Sequence, residues 1–164
     1  MPKLLILEGL DGTGKTTVAS KLIQFSSYTF PVHYIYFPKK DSEELTYSYF
    51  NDLIAVFGYL EGVVIMDRSI ISTYAYGIDL VNKLGLLGLV RDYDPIIVYF
   101  EKVYDQSKLP SDWIRIKERY ERALSEIRPW LHIPYIKTTS EEFLKCINSL
   151  DKLVKLFELK ALPC

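Results

Sequence analysis

Cysteine is nearly missing from this chain of 164 residues. There are two, Cys146 and Cys164, and the second is the last residue. Their separation fits neither a zinc-ligand spacing nor a disulfide framework, so a reducing, cytoplasmic setting is the simplest expectation. Asparagine and glutamine are scarce, at three and two residues, while tyrosine, isoleucine, leucine and lysine are plentiful. That bias fits either a thermophile or a skewed base composition. Neither sign of charge dominates: 20 basic against 21 acidic side chains leave a net charge of −1. This argues against a protein that coats a nucleic-acid polymer, while leaving room for a local basic pocket. No stretch reaches the roughly 18 uninterrupted apolar residues of a membrane helix. The opening MPKLLILEG has no charged head followed by a long apolar run, so no signal peptide is expected. Repeats, low-complexity tracts and Pro/Gly-rich linkers are absent as well, and residues 1–164 are expected to form one domain.

What is present is apolar material, 49% of the chain, arranged in short runs. Residues 3–8 (KLLILE), 32–37 (VHYIYF), 62–66 (GVVIM), 95–100 (PIIVYF) and 133–138 (IPYIKT) read as strands. Helices are expected from about Gly14 to Ser26 and over 42–58, 69–84, 111–131 and 140–159. Strands alternating with helices predict an α/β fold, a parallel sheet of about five strands with helices on both faces. Ligands then bind beyond the carboxyl ends of the strands. The turns after residues 8, 38 and 66 should meet there.

GLDGTGKT, residues 9–16, satisfies G-x-x-x-x-G-K-[ST] between a strand and a helix. The fold class becomes the three-layer P-loop NTPase sandwich. Glycines allow the backbone to wrap phosphate oxygens, while amides and the helix N-terminus supply positive potential. Gly9, Leu10, Asp11, Gly12, Thr13, Gly14, Lys15, Thr16 and Thr17 form the candidate ATP site. Lys15 would reach the β and γ phosphates, and Thr16 would offer a hydroxyl to Mg²⁺. Asp67 closes the third strand, where it could hold Mg²⁺ or cap the following helix.

Three stretches carry a resemblance. EGLDGTGKTT (8–17) is similar to the phosphate loop of thymidylate kinases, DRSIISTYAYG (67–77) to their second motif, and FPKKDS (37–42) to a third element, Phe-Pro-x-Arg. Order and spacing match across roughly residues 1–100. The resemblance implies that Arg68 grips the acceptor monophosphate, a role its planar fork suits. A structural Arg68–Asp ion pair is the alternative. The resemblance implies that Asp11 takes a hydrogen bond from the 3′-hydroxyl, against the alternative that Asp11 only pins its own loop. Ser72 and Thr73 fall where the family contacts the thymine edge. Tyr76 falls where it crowds the 2′ position, although Tyr74 and Tyr76 could equally be core aromatics. Lys40 stands at the arginine position of the third element, and Phe50 or Tyr47 is the candidate to stack on the base.

Family members supply an arginine from the phosphate loop or from a mobile lid. This phosphate loop has none, and the short lid segment, about 101–112, carries only Lys102 and Lys108. In the next helix Trp113, Ile116, Tyr120, Ala123, Ile127 and Trp130 recur at helical spacing and make an apolar face, while Arg115, Arg119 and Arg122 share another. They read either as a solvated face paired with Glu118 and Glu126, or with Arg115 replacing the lid cation and Lys108 as its rival. The expected activity is transfer of the ATP γ-phosphoryl, with Mg²⁺, to a deoxynucleoside monophosphate, thymidylate first, in nucleotide biosynthesis. Lys15, Arg68 and Arg115 would be the catalytic residues. Two rivals stand beside it: a deoxynucleoside kinase with Glu8 as base, and a nucleotide-binding regulator with weak turnover. The resemblance also implies homodimers through helices, although an apolar helix face is equally explained by core packing.

Overall fold

All five apolar runs are strands of a single parallel sheet in a computed structural model that describes residues 1–164. They are β1 (Lys3–Gly9), β2 (Val32–Tyr36), β3 (Val63–Asp67), β4 (Ile96–Phe100) and β5 (Tyr135–Thr138). The strand order is β2-β3-β1-β4-β5, so β1 is central. The helices are α1 (Lys15–Ile23), α2 (Glu43–Phe57), α3 (Ile70–Ala75), α4 (Lys83–Gly88), α5 (Trp113–Leu131), α6 (Ser140–Cys146) and α7 (Leu150–Leu159).

Successive strand side chains point to opposite faces. Leu4, Ile6, Val64, Met66, Ile97 and Tyr99 pack with Phe50 and Phe57 of α2, Ile70 and Ile71 of α3, and Tyr120 and Ile127 of α5. Leu5, Leu7, Val63, Ile65, Ile96 and Val98 pack on the other side with Val18 and Leu22 of α1, Phe143 of α6, and Leu153 and Leu156 of α7. Burial on both faces is why the strands read as continuous apolar runs rather than as alternating ones. No helix is long and apolar enough to cross a membrane.

Two expected helices are broken. The one placed over 69–84 ends at Ala75, because Gly77 takes φ 115, and α4 begins only at Lys83. The one placed over 140–159 splits at Ile147. Ser149 then caps α7, its hydroxyl accepting from the Lys152 amide at 3.3 Å. The cysteine expectation is corrected as well. Cys146 and Cys164 form a disulfide with Cα atoms 5.0 Å apart. The tail after α7 folds back toward the end of α6, and Lys152 Nζ, in the first turn of α7, donates to the Pro163 carbonyl. A separation of 18 residues is therefore closed by tertiary structure. On α5, Ile116, Tyr120, Ala123, Leu124 and Ile127 face inward. Trp113 and Trp130, expected on that apolar face, lie at its ends, and Trp130 is 70% exposed.

Candidate active site

The turns after β1, β2 and β3 converge at the carboxyl edge of the sheet, as the topology requires. Gly12 (φ 83) and Gly14 (φ 92) are in the left-handed region, and both are crowded as well. A Cβ on Gly12 would lie 2.4 Å from the Asp105 carbonyl, and one on Gly14 would lie 2.6 Å from Ser140 Oγ. The phosphate loop is thereby wedged between the lid segment and the start of α6. The Gly12 carbonyl also accepts from the Tyr104 amide at 2.8 Å and from the Asp105 amide at 3.3 Å.

Lys15 is buried and donates to the carbonyls of Gly9 at 2.8 Å and Leu10 at 2.7 Å. Burial first, and then the nearby Arg68 charge, lower its ammonium to about 8. Leu10 and Thr13 are buried, and Thr13 Oγ1 donates back to the Leu10 carbonyl at 2.8 Å. These two frame the loop from inside rather than line its cavity.

Arg68 holds φ 72, which is unusual outside glycine, while its amide donates to the Leu7 carbonyl at 2.9 Å. Its guanidinium pairs with Asp11, lies 3.4 Å from the Tyr120 hydroxyl and sits 5.0 Å from the Tyr76 ring centroid. The Arg68–Asp ion-pair alternative is thus realised here, and Asp11 is tied to Arg68 rather than to its own loop. Ser69, not Asp67, caps α3: its hydroxyl accepts from the Ile71 amide at 3.1 Å. Asp67 accepts from the Tyr34 hydroxyl at 2.7 Å. Burial and this bond push the Tyr34 phenol up.

Beneath these groups lies a closed polar network. Glu8 has no exposed surface. Ser69 donates to one of its oxygens at 2.5 Å and Ser72 donates to the other. Burial raises the Glu8 carboxyl despite these donors. Ser72 Oγ lies 2.6 Å from the Tyr120 hydroxyl, which in turn donates to the Gly9 carbonyl at 3.2 Å. Glu8 lines neither of the cavities described next, so a base on a substrate hydroxyl has no geometric ground at that residue.

Two adjoining cavities open over this floor. The larger, about 440 Å³, is lined by Asp11, Gly12, Gly14, Lys15, Thr16, Thr17, Tyr36, Asp67, Arg68 and Lys108. The smaller, about 160 Å³, is lined by Asp11, Tyr36, Phe37, Lys39, Arg68, Ser72, Thr73 and Tyr76. Asp11, Tyr36 and Arg68 belong to both walls. Thr73 Oγ1 and the Tyr76 hydroxyl are buried without a hydrogen-bond partner in the protein.

Three expected site residues are not brought here. Phe50 is fully buried and packs edge-on against Phe37, with ring centroids 5.9 Å apart, so no base can stack on it. Lys40 turns away onto the Tyr49 ring, 4.3 Å from its centroid, and Lys39 lines the pocket instead. Arg115 lies beside Gly77 and on neither cavity wall. Lys108, its rival, faces the phosphate-loop cavity, because the 3₁₀ turn Gln106–Lys108 follows directly on the segment tied to Gly12. Arg119 anchors α5 to α3, donating to the Tyr74 carbonyl at 2.7 Å and pairing with Asp79 at 3.0 Å. Tyr36, Lys39 and Tyr120 were missed. The first two adjoin the Phe-Pro pair that ends β2, which was the available signal. Tyr120 showed only as one member of an apolar helix face.

No family model matches the chain. A curated relative from Acidianus bottle-shaped virus (isolate Italy/Pozzuoli), named "Putative thymidylate kinase", is 40% identical over 124 residues, 70% of this chain and 79% of that one. Among solved structures, the YorR protein of Bacillus subtilis, in complex with phosphorylated GDP, aligns over 96% of this chain and 97% of its own, with TM-score 0.65 and 20% identity. A thymidylate kinase from Ehrlichia chaffeensis aligns over 84% and 87%, with TM-score 0.50 and 19% identity.

Proposed function

The chain belongs to the thymidylate kinase family, and on that premise we propose that it moves the γ-phosphoryl group of ATP to a deoxynucleoside monophosphate, thymidylate first. One observation carries this reading. A phosphate-loop cavity and a smaller pocket share a wall made of Asp11, Tyr36 and Arg68. A donor in the first and an acceptor in the second would meet at the arginine.

Each residue then has a part. Lys15 neutralises charge on the β and γ oxygens. Thr16 and Asp67 present hard oxygen donors on one cavity wall, a set suited to Mg²⁺. When bound, Mg²⁺ withdraws charge from the phosphate oxygens. An acceptor phosphate competes with Asp11 for the Arg68 fork, which releases Asp11 toward the sugar hydroxyl. Thr73 and Tyr76 bring unpartnered hydroxyls to the same pocket, and such buried groups favour a polar ligand. An acceptor oxygen forms the new bond to the γ phosphorus while the bond to the β-bridging oxygen breaks. The acceptor monoester is already largely dianionic near pH 7, so no general base is required. Lys108, on the donor wall, meets the charge that develops in flight.

The test is a coupled assay at fixed ATP and Mg²⁺ with thymidylate, thymidine, the other common deoxynucleoside monophosphates including that of guanine, or no acceptor. Turnover with a monophosphate and none with thymidine is expected. Turnover with thymidine alone would move the protein to the nucleoside kinases. Nucleotide binding without turnover on any acceptor would make it a regulator.

A further inference from the structure

Tyr34 lines neither cavity. It is the third residue of β2, an edge strand, and the residue is 40% exposed. The register sets Tyr36, not Tyr34, opposite Asp67. Tyr34 nevertheless reaches along the sheet, and its hydroxyl donates to Asp67 Oδ2 at 2.7 Å. Asp67 is 3% exposed, and no cationic side chain pairs with its carboxylate. Its other oxygen, Oδ1, has no hydrogen-bond partner in the protein.

Resting on the reading of Asp67 as a holder of the nucleotide's divalent cation, we propose that Tyr34 is a positioning residue that fixes the Asp67 carboxylate with Oδ1 free for the cation. The kind of donor matters. A lysine or arginine on Oδ2 would neutralise the carboxylate and compete with a cation. A neutral phenol holds the same oxygen and leaves the full negative charge in place. A carboxylate without such a partner can turn about its last side-chain bond, so both oxygens sample the cavity and the ligand must be ordered at the moment of binding. Groups that orient ligands in this way typically change metal affinity or activity by about 10- to 100-fold when removed. The bland alternative is a staple between β2 and β3, which would act on heat stability alone.

The experiment measures ATP binding calorimetrically at graded Mg²⁺ and in chelator, for the wild type, Tyr34→Phe, Tyr34→Leu and Asp67→Asn, with thermal melts alongside. Tyr34→Phe is expected to raise the Mg²⁺ concentration needed for half its effect about tenfold, leaving ATP affinity in chelator within about twofold. Tyr34→Leu should match it in metal dependence while melting lower, because it also loses the ring. If Tyr34→Phe keeps the wild-type Mg²⁺ dependence while Asp67→Asn loses it, Tyr34 is a staple and the proposal is overturned. If Asp67→Asn also keeps the wild-type dependence, the metal role of Asp67 fails first and takes this one with it.

Discussion

Six of the ten residues around the larger cavity come from one stretch of chain, Asp11 to Thr17. The eight around the smaller pocket come from three separate segments: Asp11, then Tyr36, Phe37 and Lys39, then Arg68, Ser72, Thr73 and Tyr76. On the proposed reading the larger cavity is the donor half and the smaller pocket the acceptor half, and the donor half is a backbone device whose glycines and lysine must stand at fixed spacing. The acceptor half is a side-chain device whose shape depends on register, rotamer and where each helix stops. Tolerance to substitution should differ accordingly. The donor half fails at one lysine, whereas the acceptor half fails by degrees.

The largest effect expected is at Lys15. Replacing it by alanine should lower turnover by about a thousandfold or more, ~4 kcal/mol, with the fold intact. Lys15 also predicts a proton signature. Its pKa of about 8 lies below the ordinary 10.5, so the charged form is disfavoured in the folded protein. Between those two values the unfolded chain binds the extra proton, and this group's contribution to stability rises with pH. Polyphosphate favours the charged form, so ATP binding near pH 8 should take up protons. Calorimetry in buffers of different ionisation enthalpy would show it, and Lys15→Ala should abolish it. Wild-type binding without proton uptake would mean that the ammonium stays on the loop carbonyls.

Next comes the shared wall. Arg68→Ala should cost about 2–4 kcal/mol in kcat/KM for the monophosphate, with ATP affinity changed no more than about twofold. Equal losses on both substrates would place Arg68 in the donor half. Lys108→Ala should lower kcat roughly 10- to 100-fold with little change in either KM, because the charge it meets belongs mainly to the transition state. Arg115→Ala should be nearly silent, given its place beside Gly77. The opposite ranking would mean that α5 swings toward the phosphates during turnover.

The sheet, its five strands and the phosphate loop could all be read from residue pattern, because strand burial and loop geometry impose local periodicities. Asp67 and Arg68 could be placed as well, since a short motif fixed them to the end of β3. The rest depended on contacts that no local pattern encodes. Phe50 and Tyr49 differ by one residue on α2. That one step of the helix sends Phe50 into the core and leaves Tyr49 to meet Lys40. Lys39 and Lys40 differ by one position after Pro38, and only the first turns inward. The planar fork of an arginine favours Arg115 over Lys108 as the lid cation, but two hydrogen bonds from the 101–112 segment to the Gly12 carbonyl bring Lys108 to the cavity instead. The Cys146–Cys164 bridge needed the tail to fold back after α7, a long-range event.

The smallest effect is the most diagnostic of the acceptor half. Thr73 is 1% exposed, and its hydroxyl has no partner in the protein. Valine has nearly the same shape and lacks the hydroxyl. If Thr73 serves only the core, Thr73→Val should leave the protein equally or more heat-stable, because an unsatisfied buried polar group is costly, and kinetics should not change. If Thr73 instead serves a bound acceptor, the same gain or neutrality in Tm should come with a KM for the monophosphate raised about two- to tenfold, roughly 1 kcal/mol, at unchanged ATP affinity. The second outcome is expected, because the residue lines the pocket that also holds Arg68 and Asp11. A fall in Tm with no change in KM would show that the hydroxyl is satisfied within the fold, and would leave Tyr76 as the pocket's unpartnered hydroxyl.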